Sequence, residues 1–397
     1  MYEIREAKEE DRDQSVELLI RTFKDIDDFE DGWVESWQNY MNRPEYGEWN
    51  LVATHEGKIV GNLAFSRNDN NFIRGGPAQI ACVWAVATDQ NHRQRGVLRQ
   101  IYEQAFRSMK NKDLTLSVLE PSPYLGAQIA YEKFGYEVVE RRVVHTFDPA
   151  GIRPTKIPEN ITYRQIDDEN DWRVIAEIER SMSRFGSLIY SWSGFLMGAI
   201  KSGKMHIIEQ DAKPVASVFL SKEKEVAHIA YAYFISDEFL PALMEFIRQQ
   251  TTGISKAFLS SNQEVYIRPY FHNVRMLETK VDGAMMMRVI DFEGLSKTIR
   301  VSEDVDESIT LRLVDHYCPW NEGIYHIESQ KGKLNVTRTK DESVEITLAP
   351  NDISRIIGGY LSSSIWHKLG FWQCEKSVVK KLDKIFPKDS FISHFRF

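Results

Sequence analysis

The stretch His92-Arg93-Gln94-Arg95-Gly96-Val97-Leu98-Arg99 decides which fold this sequence predicts. It follows an apolar run at residues 80–87 that is typical of a buried strand, and it leads into the apolar spacing of a helix. The N–H groups of a helix's first turn have no partner within the helix, and the helix dipole makes that end positive. Three arginines add full positive charges, and the glycine lets the backbone approach a ligand closely. The stretch therefore predicts a cradle for a phosphate group.

Length and composition indicate an ordinary folded protein with several domains. At 397 residues the chain predicts two to four domains, with three as the central expectation. Hydrophobic residues make up 42% and charged residues 27%, as in soluble globular proteins. The net charge of -8 argues against a nucleic-acid partner, so the basic turn is expected to serve a local anion.

The sequence predicts neither a membrane segment nor a metal site. No apolar run approaches the ~18 residues of a membrane span, and no signal-peptide pattern is present, so we expect a cytoplasmic protein. The three cysteines, Cys82, Cys318 and Cys374, are far apart and odd in number, which argues against disulfides or thiolate ligands. The ten histidines show no metal-ligand spacing.

Residues 1–150 predict one mixed domain with the element order β, α, ββ, β, α, β, α, β. Its first helix is expected at residues 9–24, a hairpin at 50–65, the central strand at 80–87 and a helix from Val97. A strand at 114–119, a short helix at 124–134 and a strand at 137–147 complete it. The segment 148–154, with two prolines and a glycine, predicts a domain junction.

Residues 151–284 repeat this order with one decisive difference. After the strand predicted at 226–234 the chain reads Ile235-Ser236-Asp237-Glu238, without a glycine or a basic residue. Acidic side chains there would repel a phosphate, so the second copy is expected to be a degenerate, non-catalytic duplicate. Residues 285–397 predict a third, α+β domain, with a meander of strands at 309–314, 323–327, 333–338 and 343–348 and helices at 353–362 and 376–386.

The basic turn resembles the cofactor fingerprint of the GNAT superfamily of N-acetyltransferases, Arg/Gln-x-x-Gly-x-Gly/Ala at a helix start. It matches at an arginine and the first glycine, whereas Leu98 stands where a small residue is usual and predicts a looser approach of the helix. The resemblance implies that acetyl-coenzyme A binds with its pantetheine arm along the central strand and its pyrophosphate on the turn. The implied residues are Val86, Ala87, Thr88, Arg93, Gln94, Arg95, Gly96, Val97, Leu98 and Arg99. The alternative is a solvated helix cap without a ligand.

A second motif, Tyr131-Glu132-Lys133-Phe134-Gly135-Tyr136 with Ala127 upstream, is similar to the helix end that carries the acid of these enzymes. The resemblance implies that the phenol of Tyr131 protonates the departing thiolate of coenzyme A. A tyrosine suits this task because a pKa of ~10 keeps it protonated at neutral pH. The alternative is a core aromatic residue without a catalytic role.

The whole chain resembles the enhanced-intracellular-survival (Eis) family of N-acetyltransferases. Its C-terminal signatures lie at residues 287–291, 314–315 and 319–323. The resemblance implies tandem GNAT folds, the second degenerate, a domain similar to sterol carrier proteins, and a homo-hexamer. It also implies that the terminal carboxylate of Phe397 acts as general base. A reference pKa of ~3.5 makes a carboxylate a poor base at pH 7, so burial must raise that pKa or the group must orient an ammonium. The alternative is a frayed terminus.

Aromatic and acidic residues of the first domain fall where the family lines its acceptor pocket. Such a mixture suits a polyamine through cation–π contact and charge pairing. The alternative is a set of surface-loop residues. The candidates are Phe23, Asp25, Asp28, Trp33, Trp37 and Trp84.

These features together predict an acetyl-coenzyme A-dependent N-acetyltransferase that works by direct transfer in a ternary complex. The acceptor could be an aminoglycoside, another polyamine or a lysine of a peptide or protein, and the sequence does not choose among them. The alternative from another class is a binding protein that senses acyl-coenzyme A or holds an apolar ligand without catalysis.

Overall fold

The structure, a computed structural model, divides the chain into two compact units. One unit holds Met1–Val138 and Met285–Lys388, and the other holds Val139–Ala284 and Asp389–Phe395. The boundaries predicted at residues 150 and 284 and the three-domain division stay a prediction. The structure describes residues 1–24, 31–43, 45–122, 126–166, 168, 171–182, 187–189, 194–261, 267–389 and 391–393.

The first repeat has the predicted order of elements and one helix that the sequence did not indicate, α2. Its elements are β1 (Glu3–Glu6), α1 (Arg12–Phe23), α2 (Asp31–Met41), β2 (Asn50–His55), β3 (Lys58–Ile73), β4 (Gly76–Thr88), α3 (Val97–Asn111), β5 (Leu116–Leu119), α4 (Ala127–Lys133) and β6 (Glu137–Phe147).

The second repeat follows the same plan with two differences. Its elements are β7 (Ile161–Ile166), α5 (Trp172–Met182), β8 (Ser187–Ile189), α6 (Gly194–Lys201), β9 (Met205–Gln210), β10 (Lys213–Glu223), β11 (Val226–Phe234), α7 (Leu240–Gln250), β12 (Lys256–Ser261) and β13 (Leu277–Val289). The plan is shared from β7 to β12, with β8 in addition, and the described residues between β12 and β13 form 3₁₀ turns in place of a helix like α4.

The C-terminal region is an α+β domain with a small sheet and four helices among its described residues. Its elements are α8 (Phe292–Ser296), β14 (Glu307–Leu313), β15 (Gly323–Gln330), β16 (Lys333–Thr339), β17 (Ile346–Leu348), α9 (Pro350–Gly358), α10 (Ser363–Lys368) and α11 (Lys376–Ile385). The last strand, β18 (Phe391–Ser393), belongs to the second unit and pairs parallel with β8.

In each unit, the last strand of the sheet comes from the other repeat of the sequence. In the first unit the strand order is β1-β2-β3-β4-β5-β13, and Met286–Val289 of β13 pair antiparallel with β5. In the second the order is β6-β12-β11-β10-β9-β7, and Val143–Phe147 of β6 pair antiparallel with β12. The methionine-rich segment 285–289, predicted to open the third domain, is therefore a strand of the first unit's sheet.

The predicted meander in the C-terminal domain is wrong for its last strand. The sheet has the order β16-β15-β14-β17, and β17 lies parallel to β14, with Leu311 opposite Ile346. The first three strands are joined by short connections and pair antiparallel, as predicted. Spacing alone cannot reveal the parallel partner because the pattern of buried residues in a strand is the same in either direction.

The helix that follows the basic turn packs as its sequence predicts. Val97, Ile101, Ala105 and Met109 repeat at four-residue spacing along α3, and all four are buried. A buried stripe of this kind fixes one face of a helix against the sheet. Among the described residues, no helix combines the length and apolar character needed to cross a membrane.

A buried ion pair ties the C-terminal domain into the first unit. The Arg288 guanidinium donates to Asp315 Oδ1 at 2.7 Å, and both side chains are 1% exposed. The same carboxylate oxygen accepts the Cys318 backbone N–H, and the other accepts the Asn321 side-chain amide. The guanidinium also lies over the Phe106 ring of α3, 5.1 Å from its centre. The pair therefore connects β13, α3 and the loop before β15.

A second arginine makes a comparable connection through backbone carbonyl groups. Arg74, in the turn between β3 and β4, donates to the backbone oxygens of Ile356, Ile357 and Pro387 at 2.5–2.9 Å. Carbonyls at the end of α9 lack partners within the helix and carry partial negative charge, which suits a buried cation.

Removing one partner of the Arg288–Asp315 pair is expected to destabilise the protein strongly. Arg288→Met leaves a buried carboxylate without its cation, so the free energy of unfolding should fall by about 3–5 kcal/mol. Urea denaturation followed by fluorescence measures the change. Arg312→Met, at an exposed position on β14, is the matched control and should change it by less than about 0.5 kcal/mol. A loss below about 1 kcal/mol for Arg288→Met would contradict the assigned importance of the pair.

Candidate active site

The basic turn between β4 and α3 has the backbone shape of an anion cradle. Asp89 Oδ1 accepts the Asn91 N–H at 3.0 Å and opens a short 3₁₀ turn at Gln90–His92. Gln94 and Gly96 then adopt left-handed conformations with φ of 61° and 79°. Gly96 is the N-cap of α3, so the N–H groups of the helix's first turn lie directly after it. This region of φ favours glycine, which explains Gly96.

The arginines of the turn are exposed. Arg93 Nε donates to the Thr88 carbonyl oxygen at 3.3 Å, which holds its side chain against the end of β4. Arg99 Nε lies 3.8 Å from Glu103 Oε1 on the next turn of α3, a weak surface pair. Arg95 is exposed as well. The cradle therefore combines a helix N-terminus with three cationic side chains at the surface.

His92 supports the turn from the side. Its Nδ1 lies 3.0 Å from the Tyr2 hydroxyl, and its ring contacts the His55 ring at 5.2 Å between centroids. Tyr2 precedes β1 and His55 ends β2, so these contacts hold the turn against the first two strands.

A glycine on β3 lets α3 approach the sheet closely. A Cβ atom at Gly61 would lie 2.7 Å from Ile101 Cδ1 and 2.9 Å from Val97 Cγ1, closer than side chains pack. The first turn of α3 is thereby held against β3. The looser approach predicted from Leu98 stays a prediction.

The central strand β4 bulges before it reaches the cradle. Asn62 pairs with Ala87 and Ala64 with Trp84, so two residues of β4 stand opposite one of β3. Ala85 adopts a φ of 50°, and its carbonyl oxygen accepts the Asn62 side-chain amide at 2.8 Å. A bulge bends the strand and increases its local twist.

The pairing of β4 with β5 stops before this bulge. The parallel register joins Ile80 to Leu116 and Cys82 to Val118, and β5 ends at Leu119. The backbone of β4 from Val86 to Thr88 therefore extends past the register of β5 and leads directly to the basic turn. An extended ligand can pair with such a strand edge as an added strand does.

The second repeat keeps this bulge and loses the cradle. Tyr231 has a φ of 48°, and the β10–β11 register shifts between Ser217 and Phe219. The Ser217 hydroxyl donates to the Tyr231 carbonyl oxygen at 3.4 Å, as Asn62 does to Ala85 in the first repeat. The helix that follows begins after a 3₁₀ turn with Asp237 and Glu238 in place of arginines. The repeat is degenerate at the position that the sequence indicated.

Tyr131 lies near the end of α4 in a cluster of aromatic rings. Its ring contacts those of Tyr102 and Tyr136, both at 6.0 Å between centroids with edge-to-face orientation. Tyr102 also stacks on Phe134 at 4.6 Å. Burial raises the pKa of the Tyr131 phenol above its ordinary value, so the hydroxyl keeps its proton.

The cluster is anchored by Tyr136. Its hydroxyl lies 2.6 Å from the Ser117 hydroxyl on β5, and both residues are buried. Burial also raises the pKa of the Tyr136 phenol, although the Ser117 hydrogen bond opposes the shift. The Tyr131 ring is thus packed against a fixed neighbour.

The candidate residues of the acceptor pocket fall into two groups, those that the structure describes and those that it does not. Phe23, Trp37 and Trp84 belong to one apolar cluster beneath α1 and β4, in which the Phe23 and Trp37 rings lie 5.7 Å apart. Trp37 is buried, so most of its ring is core. Asp25, Asp28 and the side chain of Trp33 lie outside the described residues, as does Phe397.

Asn62 is the site residue that the sequence interpretation missed. It is buried, and its side-chain amide donates to the Ala85 carbonyl oxygen in the bulge. Its Oδ1 accepts a hydrogen bond from the Asn50 side-chain amide at 3.1 Å. A polar residue within the apolar run 59–65 was the available signal. Within the described part of the chain, no group of three or more metal-binding side chains occurs.

Two family models match parts of the chain. Residues 3–139 match the acetyltransferase (GNAT) domain, and residues 294–391 match the sterol carrier protein domain. No curated protein sequence matches the chain.

Several solved structures share the fold over the full chain. A probable N-acyltransferase from Enterococcus faecalis V583 has a TM-score of 0.80 at 16% identity, with 100% of both chains covered. A GCN5-related N-acetyltransferase from Anabaena variabilis ATCC 29413 has 0.78 at 16% identity, with 99% of both covered. Eis1 from Mycobacterium abscessus has 0.72 at 12% identity, with 100% of both covered. At these identities the likeness establishes the fold.

The acetyltransferase match covers the cradle, the bulged strand and Tyr131, and the sterol carrier match covers most of the C-terminal domain. The predicted mixed α/β fold, with tandem GNAT repeats and a sterol-carrier-like end, is confirmed. The chain therefore contains an acetyltransferase (GNAT) domain at residues 3–139 and a sterol carrier protein domain at residues 294–391.

Proposed function

We propose that this protein transfers an acetyl group from acetyl-coenzyme A to an amine by direct transfer in a ternary complex. The observation that carries the proposal is that one helix, α3, connects the cradle to the aromatic cluster of Tyr131. Tyr102 lies five residues after Val97, about 7.5 Å along the helix axis, and contacts the Tyr131 ring. A ligand with its pyrophosphate on the cradle would extend along β4 toward this cluster.

The residues present fit the proposed co-substrate. The N–H groups after Gly96, with Arg93, Arg95 and Arg99, would hold the pyrophosphate, and Gln94, Val97 and Leu98 complete the turn. The backbone of Val86, Ala87 and Thr88 would pair with the pantetheine arm. Acetyl-coenzyme A supplies an acetyl group activated as a thioester.

The proposed mechanism assigns one residue to each of two proton transfers. The amine nitrogen forms a bond to the carbonyl carbon while the carbon–sulfur bond breaks, and Tyr131 gives its phenolic proton to the departing sulfur. The proton that the amine loses passes to a base, and the Eis resemblance proposes the carboxylate of Phe397 for it. The N–H groups near Val86 would steady the carbonyl oxygen.

The acceptor is proposed as a small polyamine or aminoglycoside, with a lysine side chain as the alternative. Phe23 and Trp84, which are only partly buried, offer ring surface for a cation. A screen of aminoglycosides, simple polyamines and lysine peptides, followed by thiol release, tests this assignment. A homo-hexamer, supported by the Eis resemblance, and a cytoplasmic location belong to the same proposal.

Tyr131→Phe is expected to lower kcat by ~10²–10⁴-fold because the departing thiolate loses its proton donor. The dissociation constant of acetyl-coenzyme A, measured by calorimetry, should not change. The raised pKa also predicts that kcat shows no loss from ionisation of Tyr131 below about pH 10. An unchanged kcat in Tyr131→Phe would refute the role.

Arg95→Ala is expected to raise the KM for acetyl-coenzyme A about tenfold, since a charge-assisted hydrogen bond to phosphate is lost. The wild-type KM should rise with salt concentration, and that of the variant should rise less steeply. Arg107→Ala, exposed in the C-terminal half of the same helix, is the matched control. Equal effects of the two substitutions would argue for general surface charge instead of a cradle.

The role proposed for the C-terminus is tested by adding residues to it. An extension of two glycines moves the carboxylate away from Phe397 and should lower kcat with little effect on binding of acetyl-coenzyme A. A two-glycine extension at Met1 is the control. Full activity of the C-terminally extended protein at an unchanged melting temperature would exclude the terminal carboxylate as base.

A further inference from the structure

The short helix that carries Tyr131 depends on contacts outside itself. Because α4 has only seven residues, its final carbonyl groups lie beyond the reach of donors within the helix. The Tyr131 carbonyl oxygen accepts the N–H groups of Phe134 at 2.9 Å and Tyr136 at 3.2 Å. Gly135, with a φ of 87°, makes this closing turn possible.

The Glu132 carbonyl oxygen accepts the Gly135 N–H at 3.0 Å, and the C-terminal domain supplies a further donor. Asn351, in the first turn of α9, donates through Nδ2 to the Glu132 carbonyl oxygen at 3.1 Å and to the Tyr136 carbonyl oxygen at 2.7 Å. Glu132 adjoins Tyr131 in the chain, and the Tyr136 ring contacts the Tyr131 ring. One amide group therefore ties together the backbone on both sides of the turn that follows Tyr131.

Neighbouring residues of α9 reinforce this contact. A Cβ atom at Gly135 would lie 2.6 Å from Pro350 Cβ, so the turn packs directly against the start of the helix. The Ser354 hydroxyl donates to the Gly135 carbonyl oxygen at 3.4 Å, and Arg355 pairs with Glu137 at 2.7 Å. The start of α9 thus contacts the chain from Glu132 to Glu137.

We infer that Asn351 is a positioning residue for the proton donor, and that the sterol carrier domain thereby sets the geometry of the acetyltransferase site. The inference rests on the proposed role of Tyr131. A general acid acts only within hydrogen-bond reach of the atom it protonates, so a shift of about 1 Å in its helix is costly. The side-chain amide is the group that matters because it donates to two carbonyl oxygens at once.

Asn351→Asp is the sharpest test. It keeps the size of the side chain and places a negative charge in the first turn of α9, where the helix dipole favours it, yet it removes the N–H donor. We expect kcat to fall ~10–100-fold, with the KM for acetyl-coenzyme A unchanged, and Asn351→Ala to behave similarly. Asn335→Asp, exposed on β16, is the matched control and should retain full activity.

A double-mutant cycle separates positioning from general loss of structure. In the Tyr131→Phe background, Asn351→Asp should lower kcat less than about twofold, because the group being positioned is already gone. An equal loss in both backgrounds, or a wild-type kcat in Asn351→Asp, would overturn the inference. If Tyr131→Phe alone leaves kcat unchanged, the proposed acid role fails instead, so the two failures are distinguishable. Melting temperatures identify variants that do not fold, and in that case Asn351→Leu, which keeps a similar side-chain size and carries no donor, replaces them in the cycle.

Discussion

The hydrogen bond from the Asn62 side chain to the Ala85 carbonyl oxygen fixes the bulge on which the candidate site depends. The bulge places Ala85 in a left-handed conformation, and the pairing of β4 with β5 stops at Cys82, before the bulge. Without it, parallel pairing could continue toward the cradle and close the strand edge that an extended ligand would use. The buried Asn62 amide therefore holds the bulge that precedes the strand edge proposed for the ligand.

The second repeat shows that the bulge and the cradle are separable. Ser217 and Tyr231 reproduce the contact made by Asn62 and Ala85, although their side chains differ. The basic turn is replaced by Asp237 and Glu238, which would repel a phosphate. The shape of the sheet is thus retained where the charges that would attract an anion are lost.

The C-terminal domain is part of the first unit's architecture. The Arg288–Asp315 pair lies beside Phe106 of α3, and Arg74 reaches the end of α9 from the β3–β4 turn. The contacts of Asn351 lie at the end of α4. Charged groups at such depth are costly unless they are paired and hydrogen-bonded, and the partners of Arg288 and Arg74 come from several segments far apart in sequence.

The sequence by itself determined α3 and the local chemistry of the turn before it, although it did not indicate α2. The spacing of Val97, Ile101, Ala105 and Met109 predicted α3, the glycine and arginines predicted the cradle, and the acidic residues at 237–238 predicted its loss in the second repeat. These features are local, since a helix face and a helix N-terminus depend on residues a few positions apart.

Only the tertiary structure decided which distant segments meet. It placed the methionine-rich segment 285–289 beside β5, made β17 a parallel partner of β14, and brought Asn351 to the end of the helix that carries Tyr131. Strand partners and long-range hydrogen bonds depend on how buried surfaces fit together, and the burial pattern of a single strand is the same for either neighbour. The bulge at Ala85 also depends on the tertiary structure, because an alanine carries no local preference for a left-handed backbone.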